Sequence, residues 1–166
     1  MITHNDMQTA YDEVIRHNAL IQDALRREVK LLRDCYVRSL GGEDVSSCGV
    51  QSDMERLVRI EQTDESGKYE KCPPSCLSMN NDGAIAFRMC TLINGTPTGN
   101  LFIPAYITMA YYENLIKVGM SISNSRSNKQ AELYVSRGEE PERYEEVADY
   151  IKGMIMRFIA DQKLPG

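Results

Sequence analysis

Residues 116–123 read Ile116-Lys117-Val118-Gly119-Met120-Ser121-Ile122-Ser123, an unbroken alternation of large apolar residues with polar or small ones. A period of two puts one set of side chains on each face of a strand and matches no face of a helix. The stretch decides the fold because the residues before it have two readings. Pro104 at a first turn and Gly119 just past an end would suit a helix over 104–119. The period-2 run extends into that window and favours strands instead.

Working back from it, Leu101, Ile103, Ala105, Ile107 and Met109 alternate in the same way. Pro104 falls inside this run, which predicts an edge or a bulge there. A turn-rich segment at 94–99, Asn-Gly-Thr-Pro-Thr-Gly, separates it from a further run with Ile85, Phe87, Met89, Thr91 and Ile93 on one face. Arg88, Cys90 and Leu92 fall on the other. Working forward, a polar loop leads to Ala131, Leu133 and Val135. The prediction is a four-stranded antiparallel meander.

Two helices frame it. Glu139-Glu140-Pro141-Glu142 opens the second, and Tyr144, Val147, Ala148, Ile151, Met154, Ile155, Phe158 and Ile159 recur every three or four residues as far as Lys163. That stripe is expected to pack on the apolar face of the sheet. The first helix covers residues 1–40, with no Pro or Gly before Gly41-Gly42 and a 4,3 seam of Met7, Tyr11, Val14, Ile21, Leu25, Leu32 and Cys35. Asn18 and Glu28 hold the two remaining seam positions.

A continuous helix over residues 5–40 would be about 54 Å long, whereas a compact domain of this size is about 40 Å across. The overhang implies a second copy of the chain covering Tyr11, Val14, Asn18, Ile21, Leu25 and Leu32, with Asn18 helping to fix register. A break near Asn18, giving two helices that fold back within one domain, is the alternative. Residues 41–83 read as an irregular polar segment. Within it, Ser52-Asp53-Met54-Glu55 would cap a short helix, and Val58, Ile60 and Gln62 before Asp64-Glu65-Ser66-Gly67 would equally make a hairpin. The expected fold is therefore α+β in one globular domain: a long N-terminal helix, the irregular segment, and a sheet with its closing helix over 84–166.

The 166 residues carry a formal charge of −5 and are 42% hydrophobic, which suits a folded domain and argues against a protein that coats nucleic acid. The first residues lack a basic, apolar leader, and no apolar run approaches the ~20 residues that span a bilayer. A soluble cytoplasmic protein with reduced cysteines and no membrane contact is the expectation.

By segment the charge is uneven. Residues 41–83 are net −5 and residues 139–166 net −3, whereas 84–138 are net +3. Arg88, Arg126 and Lys129, set among Ser123, Asn124 and Asn128, offer guanidinium forks and adaptable hydrogen bonds suited to a phosphate or carboxylate. A plain polar hairpin tip, its cations paired with acids of residues 41–83, is the bland alternative.

Catalytic and metal patterns are sparse. His4 and His17 both fall in or beside the first helix, away from any nucleophile. Cys72-Pro73-Pro74-Ser75-Cys76 places two thiols in one stiff turn, the weak metal candidates of the chain, but a zinc site needs four ligands. No phosphate-binding glycine motif is present, and no cofactor is implied. The expected role is a non-enzymatic, homo-oligomeric binding or regulatory protein acting on a protein partner. Capture of a small, nucleotide-like anion by the basic sheet region is the alternative, and a hydrolase of phosphorylated substrates a more distant one.

Overall fold

The computed structural model describes residues 1–41, 57–96, 99–122 and 130–165. The chain is α+β. Helix α1 (His4–Gly41) leads into strands β1 (Val58–Thr63), β2 (Tyr69–Lys71), β3 (Ala84–Thr96), β4 (Gly99–Tyr112), β5 (Leu115–Ser121) and β6 (Ala131–Ser136). A 3-10 turn over Pro141–Tyr144 then runs into α2 (Glu145–Asp161). All six strands form one antiparallel sheet in the order β2-β1-β3-β4-β5-β6.

The strand count corrects the four-stranded meander. The extra pair comes from residues 58–71, where the hairpin reading prevails. Asp64 explains the turn: its Oδ1 accepts from the Ser66 and Lys68 amides at 2.9 and 3.0 Å, and Gly67 supplies φ +84°. Strand β2 is three residues of Tyr-Glu-Lys, too short and polar to leave a periodic signal. The possible cap at Ser52 lies outside the described residues.

The 104–119 window holds two strands joined by a turn at Glu113-Asn114 and no helix, in keeping with the alternation. Pro104 sits opposite Cys90 of β3, two residues before the first described β4–β5 pair, Tyr106 with Ser121. Between Leu92 and Asn94 the register slips by one residue. The extra residue, Ile93, ends up exposed instead of continuing the buried face.

Both helices lie on one side of the sheet and share a single core with it. Ile85, Phe87, Met89, Ile107, Met109, Ile116, Val118 and Met120 meet Leu25, Val29, Leu32 and Tyr36 of α1 and Val147, Ile151 and Ile155 of α2. The β2–β3 connection is fastened to α1, where Arg26 Nε donates to the Leu77 carbonyl at 2.7 Å and Gln22 Oε1 accepts from the Met79 amide at 2.9 Å. Leu77 is wholly buried beneath them. On α2, Met154 is buried and Met156 exposed, as their opposite faces require.

Only half of α1 takes part. Ile21 is half-buried and packs on the core, Leu25 and Leu32 are fully enclosed, and every residue from 4 to 20 is exposed. One helix thus holds a core half and a solvated half. Leu32→Ala should cost about 2–5 kcal/mol, and Val14→Ala should stay within about 0.5 kcal/mol. Urea unfolding at low micromolar chain concentration compares the two.

Candidate functional site

Three places on the molecule concentrate chemistry or unsatisfied surface. The first is the sheet face turned away from the helices. Cross-strand register sets Arg59 opposite Cys90 and Glu61 opposite Arg88. Glu61 is 4% exposed, and Arg88 Nε donates to its Oε1 at 2.5 Å. Arg59 Nε lies 2.6 Å from the other carboxylate oxygen as an ion pair without hydrogen-bond geometry. The two guanidiniums stack on aromatic rings, Arg88 over Tyr69 at 3.9 Å and Arg59 over Phe102 at 4.3 Å. Two cations around one carboxylate, roofed by rings, form a closed charge cluster.

Arg88 is therefore already matched by Glu61. The other expected ligand contacts, Ser123, Asn124, Arg126, Asn128 and Lys129, lie outside the described residues. The remaining described cations of the basic segment are also engaged. Lys117 pairs with Glu132 at 3.3 Å, and Arg137 donates to the Glu113 carbonyl at 3.0 Å while covering the Tyr111 ring. Gly119 lets two neighbouring side chains close in on the backbone: a Cβ there would stand 2.6 Å from both Gln130 Nε2 and Thr108 Oγ1.

The second place is interior. Glu28, a polar residue on the α1 seam, is 9% exposed and receives Arg143 Nη2 at 3.1 Å together with the Tyr144 hydroxyl. Arg143 also donates to the carbonyls of Ser136, Gly138 and Glu140. The cluster ties α1 to the turn that starts α2. Burial and the adjoining carboxylate push the Tyr144 hydroxyl far above its ordinary range, so it stays a donor.

The thiols are separate. Cys72 is half-buried with its Sγ 3.6 Å from the Pro73 carbonyl, and Cys76 is exposed with its Sγ 3.9 Å from Ser75 Oγ. Neither is in a disulfide, and no group of three or more His, Cys, Asp or Glu is placed for a metal ion among the described residues. A cleft of about 210 Å³ opens beside Cys72, lined by Arg33, Arg59, Lys71 and Pro74. Arg33 pairs with Asp34, and Arg59 with Glu61, a carboxylate it shares with Arg88. His4 and His17 are exposed on the first half of α1.

The third place is that half itself. Thr3 and Asp6 close a capping box: the Thr3 amide donates to Asp6 Oδ2 at 2.7 Å, and the Asp6 amide donates to Thr3 Oγ1 at 3.2 Å. The Thr3 hydroxyl, which donates to Asp6 Oδ2 at 2.7 Å, and the Thr3 amide together hold the Asp6 carboxyl below its usual range. Residues 4–20 therefore stand as a capped helical arm about 26 Å long. Met7, Tyr11, Val14 and Ile15 are 57, 61, 53 and 51% exposed along one side of it. Asn18 is exposed on the same stripe. No helix among the described residues is long and apolar enough to cross a membrane.

Sequence reasoning foresaw the arm and missed the two charge clusters. Glu28 is 115 positions from Arg143 and Glu61 is 27 from Arg88. No local spacing links either pair.

Glu28→Ala should cost about 3 kcal/mol, the lower end for breaking a buried ion pair, because Arg143 keeps its carbonyl acceptors. Equilibrium unfolding measures it. A second outcome concerns Cys90, whose Sγ lies 3.4 Å from Glu61 Oε1. Burial, with that carboxylate beside it, pushes the thiol up to about 12. An unfolded cysteine loses its proton near pH ~8.5. Between these values the folded chain holds a proton that the unfolded chain has lost, so stability is full below about pH 8.5 and falls toward pH 12. Cys90→Ala should remove that part of the slope, at most about 1.4 kcal/mol per pH unit, in unfolding curves compared from pH 8 to 11. No family model, curated protein or solved structure matches the chain.

Proposed function

We propose that the chain is a non-enzymatic, homo-oligomeric binding protein of the regulatory kind, which assembles through the first half of α1 and offers the rest of its surface to a protein partner. One observation carries this reading: a capped helical arm whose apolar stripe is exposed throughout while the same stripe, further along, is core. A helix of this length is marginal by itself in water. An apolar stripe on it gains by being covered, at about 25 cal/mol for each Å² removed from water.

The polar clusters support the same reading. Glu28 and Glu61 are each held by two partners and serve to fasten elements together. Cys90, held as a thiol, is a small hydrophobe beneath Arg88 rather than a nucleophile.

The test is light scattering on the whole chain and on a chain lacking residues 1–18. The whole chain should run as an oligomer. The shortened chain should keep its circular dichroism per remaining helical residue and run as a monomer. A whole chain that is monomeric at millimolar concentration would remove assembly from the reading.

A further inference from the structure

We infer that the arm pairs with the arm of a second copy of this chain, and that the two helices run antiparallel. This rests on the arm being the assembly surface, and adds its occupant and direction.

Charge marks the surface to be covered. Numbering the seam so that Met7, Val14 and Ile21 are d positions and Tyr11 and Asn18 are a positions, the e and g positions that flank it on the arm are Gln8, Ala10, Ile15 and His17. None carries a formal charge at pH 7, His being neutral. Asp6, Asp12, Glu13 and Arg16 all fall on b, c or f. A helix meant for water on every side has no reason to sort its charges in this way. The cleared side is as wide as a helix–helix contact.

The occupant follows from self-complementarity. When two copies of the arm are laid antiparallel so that paired residue numbers sum to 25, a positions meet d positions. Tyr11 then faces the partner's Val14, and Val14 faces the partner's Tyr11. Met7 meets the partner's Asn18, and His4 the partner's Ile21. The large ring meets the small β-branched residue twice at the centre, and Asn18 falls near the ends of the overlap, where its amide reaches water. Asp12 shares a level with the partner's Glu13, but both stand on the outer b and c positions, away from the contact.

Direction follows from the fold. The stripe passes without changing face from Tyr11 and Val14 into Leu25 and Leu32, which are buried against this chain's own sheet. A parallel second helix lying on the arm would run straight on into the volume of that sheet. An antiparallel one leaves past Thr3 into open solvent, and its own sheet lies beyond the first chain's N-terminus.

The contact is small. A strip about 26 Å long and about 10 Å wide is roughly 260 Å² in projection per arm, against about 800 Å² per partner for a standard interface. The dimer should be reversible and dependent on concentration.

The experiment exchanges charge at the central pair. Tyr11→Lys and Val14→Glu alter exposed positions, so circular dichroism and melting of dilute chain should match the unmodified protein. By sedimentation velocity, each variant alone should raise the dissociation constant at least about tenfold. Mixed in equal amounts they should dimerise again to within about threefold of the unmodified chain. In the antiparallel mixed pair the introduced ammonium of one chain meets the introduced carboxylate of the other, while the unaltered Val14 of the first still meets the unaltered Tyr11 of the second. A parallel pair brings neither contact about. Weakening by both variants with no recovery on mixing would overturn the antiparallel pairing and leave the arm as the assembly surface. An unmodified chain that never dimerises, or a dimer indifferent to both variants, would overturn both.

Discussion

Everything in this molecule answers to a mismatch of length. Helix α1 has 38 residues and is about 57 Å long, whereas a compact domain of this size is about 40 Å across. Apolar side chains at every third or fourth position run most of that length, and the sheet covers those from Ile21 to Val37. The covered part builds the core. What is left over is a surface whose chemistry is that of an interior.

The two buried carboxylates mark how the covered part is held. Glu28 stands where the seam pattern would have an apolar residue, and the structure turns the exception into a joint by bringing Arg143 and Tyr144 onto it. A lone buried charge there would be ruinous, and a matched one fixes where α2 begins relative to α1. Glu61 does the corresponding work across β1 and β3, with ring stacking shielding its two arginines. Such clusters contribute modest net stability and considerable geometric definition.

How much of this could be read from residues alone depends on whether the signal was periodic. The alternation at 116–123 and the stripe from Tyr144 to Ile155 carry their structure openly, because a strand or helix face repeats every two or every three to four residues. The β1–β2 hairpin was half-legible: Val58 and Ile60 alternate, but β2 is three polar residues defined by its pairing alone. Charge by segment was informative and partly misleading. Arg88 counts toward the basic stretch and Glu61 toward the acidic one, yet β1 and β3 are neighbours and the two pair directly, with Arg59 on the same carboxylate. The partition of charge along the chain is partly dissolved by folding. The Thr3–Asp6 cap is local, a Thr and an Asp three residues apart just ahead of the apolar seam, and so is legible in the spacing alone.

The fastening of α1 to strands that come far later in the chain has a consequence for synthesis. Leu25, Leu32 and Tyr36 leave the ribosome about 50–60 residues ahead of Ile85 and about 80–90 ahead of Ile116. At roughly 5–20 residues per second, that delay lasts seconds, long against the microsecond in which a helix forms. During it the whole stripe is bare, its second half as much as its first. The nascent chain must pass through a stage in which α1 is an amphipathic helix without a sheet, and the segment most exposed to premature association is the one that later becomes the core.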